Sequence, residues 1–279
     1  TSVTGVQTCA LPISLFLIFS ATLIILMAPG FAMLEAGLVR SKNVVSVLTG
    51  NVMLYAVTSM VFLLWGYSLM FGGSGFFDGG IKQTNYSIYA IMFFQLAFVS
   101  KTVSIVSGAV SERIRIWPFM AFAFIMAGFI YPIVGSWTWG GGFLKELNDF
   151  AGSTVIHSVG GWAALAAILL LGARKGKYSK DGRIRAVPAS NIPLVTLGAM
   201  LLWIGWFGFN GGSALTISSH DNADLVGKVI LNTNTAGLAG ALTAAALMQY
   251  QYKKLDITMI LNGALGGLVA ITAAPDVSL

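Results

Sequence analysis

Two residues that could carry chemistry, Asp149 and His157, share the uncharged stretch DFAGSTVIHSVGG, in a chain with only two histidines. An aspartate just before an apolar run is typical of a helix N-cap, where it accepts hydrogen bonds from free amides and complements the helix dipole. A helix that begins near Phe150 carries His157 about 12 Å along its axis, close to the midplane of a ~30 Å hydrocarbon core. A histidine at that depth either bonds to a neighbouring helix or lines a pore.

Hydrolytic and metal chemistry fit these residues poorly. Asp149 and His157 lie two helical turns apart, too far for the orienting hydrogen bond of a Ser-His-Asp triad. The other histidine, His220, is predicted in an outer loop with no cysteine nearby, so no ligand cluster is expected. We therefore predict that the protein is not an enzyme and holds neither a metal nor a cofactor.

Aromatic residues form a second candidate set. Phe94 and Phe98 are four positions apart and share a helix face, as do Phe209 and Ser213 near the outer end of a later helix. Trp139 is predicted on the same outer side. Aromatic residues at this depth commonly pack or form an interfacial belt, so the pattern alone leaves open whether these side chains converge on one site.

The composition indicates the elements that must position these residues. The chain is 56% hydrophobic and only 9% charged, whereas soluble domains are about 25% charged. Such a chain belongs in a bilayer, and its spans must be helical to satisfy the backbone. We predict an all-α, polytopic membrane protein with eight helices, near residues 14–36, 44–71, 86–109, 116–136, 152–173, 191–213, 226–250 and 257–273.

The basic residues predict the orientation. Of the 16 lysines and arginines, 12 lie in alternate loops, which the positive-inside rule assigns to the cytoplasm, with the N-terminus outside. The net charge of +6 is therefore read as loop charge and not as a nucleic-acid surface. The 12 residues are Arg40, Lys42, Arg113, Arg115, Arg174, Lys175, Lys177, Lys180, Arg183, Arg185, Lys253 and Lys254, and the outer side has Lys82, Lys145 and Lys228.

The chain is predicted to hold one membrane domain. Residues 1–13 differ in character from the rest and are interpreted as a non-native leader, so the membrane domain covers 14–279. A cytoplasmic loop at 174–190 follows five predicted spans. A second set of five would enter from the opposite side, which predicts an inverted-repeat transporter fold with a first repeat at 14–173 and a partial second repeat at 191–279.

Seven segments carry a resemblance to a known family: APGFAMLEAGLVRSKN, VSGAVSERIRIWPF, WTWGGGF, DFAGSTVIHSVGGWAAL, GWFGFNGGSA, NTNTAGLAGAL and NGALGGLVAIT. They resemble the signature segments of the Amt/Mep/Rh ammonium transporters, of the bacterial Amt type, from about residue 14 to the end. The resemblance implies site residues. These are Trp139, Phe98 and Ser213 with Phe94 beside them for ammonium recruitment, Phe98 and Phe209 for the gate, His157 for the pore, and Asp149 for the aspartate beneath the outer site.

The resemblance also implies a function. Ammonium, or its analogue methylammonium, binds the outer aromatic site by cation–π contact, loses a proton, and crosses as ammonia through a histidine-lined apolar pore. Passing the neutral form avoids the large cost of a bare charge in hydrocarbon. The expected partners are the lipid bilayer of the inner (plasma) membrane and two further copies in a homotrimer, with a cytoplasmic regulatory protein also allowed and no nucleic acid. The alternative is an ammonium-sensing receptor whose cytoplasmic output domain is missing.

Two departures from the family pattern stand out. The family has about eleven helices in its inverted-repeat fold, and the predicted eight stop before the second pore histidine, so we expect a truncated chain that does not transport.

Lys101 follows the gate residue Phe98 by three positions, where the family has a small or apolar residue. A lysine at a helix centre costs roughly 2.5–3.5 kcal/mol on insertion. It faces a cavity, binds a partner, or is a sequence error.

Overall fold

The computed structural model describes residues 5–76 and 85–278, with side chains from residue 10. Apart from an isolated bridge between Tyr178 and Ile184, the regular structure of these residues is helical. Eight helices follow one another: α1 Gly5–Leu38, α2 Ser41–Phe71, α3 Ile88–Val110, α4 Ile116–Trp137, α5 Ser153–Leu171, α6 Ile192–Gly212, α7 His220–Tyr252 and α8 Ile257–Ile271.

Six of these helices, α1 to α6, are long and apolar enough to cross a membrane. The all-helical, multi-pass membrane fold is therefore confirmed, while the number of spans differs from the predicted eight. α7 is long, but its first turns carry His220, Asp221 and Asp224, and Asn232 follows within the same helix. α8 is apolar but only 15 residues long, shorter than the ~20 residues that a perpendicular span needs.

Two predictions concern the ends of the described residues. α1 begins at Gly5 and continues without a break through Pro12, so the interpretation of residues 1–13 as a leader stays a prediction, and residues 1–4 lie outside the described part. Lys82, one of the predicted outer lysines, also lies outside it.

α1 and α6 pack against each other through glycines. A Cβ added to Gly198 would lie 2.2 Å from the backbone nitrogen of Leu34, and one added to Gly37 would lie 2.7 Å from the nitrogen of Val195. Small residues are the usual means by which membrane helices bring their backbones together. This close contact holds α6 against α1 and so fixes the helix that carries Phe209.

One end of the molecule gathers three of the loops that the charge pattern assigns to the cytoplasm. The carboxylate of Glu112 accepts from Arg40 Nε at 2.9 Å and pairs with an Arg174 guanidinium nitrogen at 3.4 Å. Asn43 Nδ2 donates to the same carboxylate at 2.5 Å. Burial raises the pKa of Glu112, but the hydrogen bonds from Arg40 and Asn43 outweigh it, so the pKa lies below its ordinary value.

Candidate functional site

The aromatic residues chosen from the sequence converge where α3, α6 and the segment after α4 meet. The ring centroids of Phe94 and Phe98 lie 4.7 Å apart, and those of Phe98 and Phe209 lie 4.5 Å apart. Trp139 lies 6.1 Å from Phe98 in an edge-to-face arrangement. The four rings therefore form one continuous cluster, which answers the question that their spacing left open.

An outer cavity of about 300 Å³ lies on the Trp139 side of this cluster. Its walls include all five outer residues expected from the sequence together with a buried amide, Gln95. Within residues 5–76 and 85–278, Gln95 Oε1 has no hydrogen-bond partner. Ser213 Oγ donates to the carbonyl of Phe209 at 2.8 Å, so its lone pairs are free to accept from a ligand. The five expected residues are Phe94, Phe98, Trp139, Asp149 and Ser213.

Asp149 organises the floor of the outer cavity. Its carboxylate accepts backbone N–H groups from Gly152, Thr154 and Val155 at 2.9, 2.8 and 3.0 Å. Its carbonyl accepts the indole N–H of Trp139 at 2.9 Å. One buried residue thus starts α5 and also fixes the tryptophan in the cavity wall.

The start of α5 differs from the sequence prediction. The helix begins at Ser153 after Gly152, whose φ of 106° is in the left-handed region, and not near Phe150. Residues 150 and 151 are held instead by backbone hydrogen bonds to Ala273 and Thr272 at the end of α8. His157 therefore lies about 6 Å from the start of its helix, at 1.5 Å per residue, and not 12 Å along it.

Phe98 and Phe209 separate two cavities. Phe98 lines the outer cavity, and Phe209 lines an inner cavity of about 280 Å³ on the other side of the pair. Both rings are almost completely buried. The ring centroids lie only 4.5 Å apart, so the pair of rings fills the space between the residues that line the two cavities.

His157 lines the inner cavity beneath this pair. Its ring stacks 5.3 Å from Trp206 and 5.6 Å from Phe209. Its Nε2 is buried and has no hydrogen-bond partner among the described residues, which favours the pore-lining alternative over a bond to a neighbouring helix. No carboxylate lines this cavity in the part of the chain that the structure describes.

Comparison with known proteins identifies the family. A family model described as the Ammonium Transporter Family matches residues 15–278. The chain belongs to the ammonium transporter family.

Ammonium transporters of several organisms are similar to this chain in sequence. The ammonium transporter Amt2 of Archaeoglobus fulgidus is 42% identical over 271 residues, which cover 90% of this chain and 57% of that protein. An ammonium transporter of Bacillus subtilis is 37% identical over 94% of this chain and 66% of its own length. The chain thus spans between half and two thirds of these relatives.

Solved structures of family members share the fold. One described as a sensor Amt protein superposes with a TM-score of 0.88 at 38% identity and covers 95% of this chain and 68% of that one. Mep2 of Candida albicans superposes with a TM-score of 0.84 at 30% identity and covers 94% and 60%.

The second histidine, His220, lines neither of the two cavities of the candidate site. His220 is the first residue of α7, not part of a loop, and its Nδ1 lies 3.3 Å from Asp224 on the same exposed helix face. Among the described residues no group of three or more histidine, cysteine, aspartate or glutamate side chains could hold a metal ion.

Lys101 faces a cavity, the first of the three alternatives that the sequence left open. Its side chain is 2% exposed and lines the inner cavity with His157. Its Nζ has no hydrogen-bond partner in the described part of the chain and lies 5.6 Å from the ring centroid of Tyr55. In this family member a basic group therefore stands one helical turn beyond Phe98.

Two buried residues were missed in the sequence. Trp206, which stacks on His157, was not singled out. Glu35 of α1 accepts hydrogen bonds from Asn51 at 3.0 Å, from Ser111 at 3.4 Å and from Ser107, and so links α1, α2 and the end of α3. A carboxylate inside an apolar helix is itself a signal, because such residues are costly in a membrane.

Proposed function

We propose that this chain carries the ammonium-conducting path of a transporter. Ammonium binds in the outer cavity against the π faces of Trp139 and Phe98 and the hydroxyl oxygen of Ser213. It releases one proton to the outer solution, and the remaining ammonia passes the pair of phenylalanines. Ammonia then crosses the inner cavity along His157 and takes up a proton on the cytoplasmic side.

The observation that carries this proposal is the difference between the two cavities. The outer cavity has aromatic faces, a hydroxyl and a carboxylate, which suit a small cation. The inner cavity has mostly apolar walls and no carboxylate among the described residues. A cation would lose its hydration there without compensation, whereas neutral ammonia would not.

The test uses the chain extended at its C-terminus with the matching segment of Archaeoglobus fulgidus Amt2, hereafter the extended chain. Purified extended chain is reconstituted in vesicles with a pH-sensitive dye inside. An inward ammonium gradient should raise the internal pH faster than in empty vesicles, because entering ammonia binds a proton. Equal rates in both preparations would contradict transport.

We also propose a location, an orientation, an oligomeric state and regulation for the protein, on the basis of the family resemblance and the loop charges. The protein lies in the inner membrane with the Glu112 end in the cytoplasm and the N-terminus outside, and it forms a homotrimer that a cytoplasmic protein regulates. The two inverted halves meet at the loop 174–190. The extended chain should restore growth on low ammonium in cells that lack their own ammonium transporters.

A second candidate function is ammonium sensing. It is favoured by the likeness to a structure described as a sensor Amt protein and by the lysine in the inner cavity. A sensor would bind ammonium in the outer cavity without conducting it. The two functions separate in the vesicle assay, because a sensor would show saturable methylammonium binding while internal pH rises no faster than in empty vesicles.

A further inference from the structure

We propose that Lys101 is a specificity-determining residue, whose ammonium group excludes cations from the inner cavity and leaves it open to neutral ammonia. This inference rests on the proposed transport function. It concerns a residue that departs from the apolar character expected at this position and that the transport path described above does not use.

The position of Lys101 follows from the helical repeat of α3. Phe98, Lys101 and Ile105 are three and four residues apart and therefore share one face of the helix. Phe98 lines the outer cavity, while Lys101 and Ile105 line the inner one. The amine thus lies directly behind the gate, where any species that passes the phenylalanine pair arrives.

The amine has no counter-charge in this cavity. Apart from His157, its other lining residues are apolar or aromatic: Met27, Phe31, Leu34, Ile105, Leu202, Trp206, Phe209, Leu265 and Val269. The nearby acid Glu35 bonds to its own donors and lines a different cavity. Among the described residues no ion pair includes Lys101.

The aromatic ring of Tyr55 lies within contact range of the amine. Lys101 Nζ lies 5.6 Å from the centroid of Tyr55, within the range of a cation–π interaction. A second cation in the same cavity would meet a like charge in a medium of low dielectric constant, where repulsion is strong.

Hydrogen bonding acts in the same direction as charge. A lysine ammonium group has three donors and no acceptor. Ammonia has a lone pair and can accept from it, whereas ammonium and methylammonium ions have none. Lys101 therefore discriminates between the two forms of one substrate by charge and by hydrogen bonding.

The experiment measures two signals on vesicles that contain the extended chain. Internal pH reports entry of ammonia, and a voltage-sensitive dye reports entry of charge. Lys101→Met removes the charge at similar length, and Lys101→Gln removes the charge but keeps N–H donors. The control Lys228→Met makes the same chemical change at an exposed position of α7.

With Lys101 present, internal pH should rise with little charge movement. In Lys101→Met and Lys101→Gln the ratio of charge movement to pH change should rise about tenfold or more, because the like-charge repulsion is lost. Lys228→Met should match the unaltered protein.

Several results would overturn the inference. One is an unchanged ratio in both Lys101 variants, and another is a high ratio in the unaltered protein. A changed ratio in Lys101→Met alone would assign selectivity to the donors and not to the charge. Failure of the proposed transport function is distinct, because internal pH would then rise no faster in any vesicle, including those with Lys228→Met, than in empty vesicles.

Discussion

Trp139 shows how a single side chain can set the affinity of the outer cavity. Its indole is fixed by the carbonyl of Asp149 and faces Phe98. We expect Trp139→Leu to weaken methylammonium recruitment by up to about thirtyfold, because a desolvated cation–π contact contributes about 2 kcal/mol. The concentration dependence of uptake by the extended chain measures this. Trp117→Leu, at an exposed tryptophan, is the control, and an equal loss in both variants would argue against the recruitment role.

Asp149 should be more sensitive to substitution than Trp139. Its carboxylate accepts three backbone N–H groups, and a hydrogen bond to a charged group contributes about 1.5–3 kcal/mol. Asp149→Ala leaves these donors unpaired at the start of α5 and frees the segment that holds Trp139. We therefore expect a larger loss of thermal stability in detergent, and of uptake, than in Trp139→Leu. If Asp149→Ala melts at the same temperature as the unaltered protein, the capping explanation fails.

The residues of the candidate site differed in how far they could be predicted. Trp139, Ser213 and Asp149 lie in signature segments, and Phe94 and Phe98 were found through their four-residue spacing. The structure brings all five to one cavity. Trp206 and Glu35 were missed, because spacing within one helix does not reveal which other helix supplies the partner. The orientation of Lys101 depends on packing in the same way, so the sequence left its alternatives open.

Helix packing through glycine gives a prediction at the scale of elements. Gly198→Ala adds a methyl group where the nearest backbone atom of α1 lies 2.2 Å away. Overpacking of this kind costs about 1–3 kcal/mol, and the shift should also move α6. Thermal unfolding followed by size-exclusion chromatography measures the loss.

The matched control is Gly227→Ala in α7, where nothing lies within 4 Å of the added atom. Here stability should be unchanged or increased by up to about 1 kcal/mol, the helix propensity difference between the two residues. Equal destabilisation by both substitutions would contradict the packing argument.

Helices were easier to predict than their internal geometry. Apolar runs revealed all eight helices, since length and hydrophobicity are local properties. Three π-helical segments, at Phe62–Gly66, Met126–Ile130 and Ser153–Ser158, were not predicted. The first two are joined by a hydrogen bond from Trp65 Nε1 to the Gly128 carbonyl. Such turns arise from contacts between helices and leave no periodic signal in either one.

The whole molecule has two chemically different ends, which predicts its orientation. Lys180 lies in the basic loop and Lys145 near the outer cavity side, and both are exposed. In a Cys9→Ser background, Lys180→Cys should resist a membrane-impermeant maleimide added to intact cells, whereas Lys145→Cys should react. Efficient labelling at position 180 would reverse the topology, and permeabilised cells provide the reference for full reaction.

The polar contacts of Glu112, which join three loops at one end of the molecule, form a junction that should make the stability of the protein depend on pH. Its pKa is lowered in the folded protein by the hydrogen bonds from Arg40 and Asn43. The stabilisation is therefore fully present above the ordinary glutamate pKa of about 4.3 and is lost as pH falls through the lower folded value. Melting temperatures measured downward from pH 6 should fall more steeply for the unaltered protein than for Glu112→Gln. Parallel curves would show that the junction does not contribute.

The contact between the backbones of α1 and α6 also bears on how this chain can change during evolution. A side chain at Gly37 or Gly198 would clash with the backbone of the opposite helix, so a mutation at either position requires that helix to shift away. Exposed apolar positions such as Leu169 and Leu170 carry no such constraint. Among diverging homologues, the two glycines should therefore be substituted far less often than the leucines. Neither glycine is among the residues that line the two cavities of the candidate site.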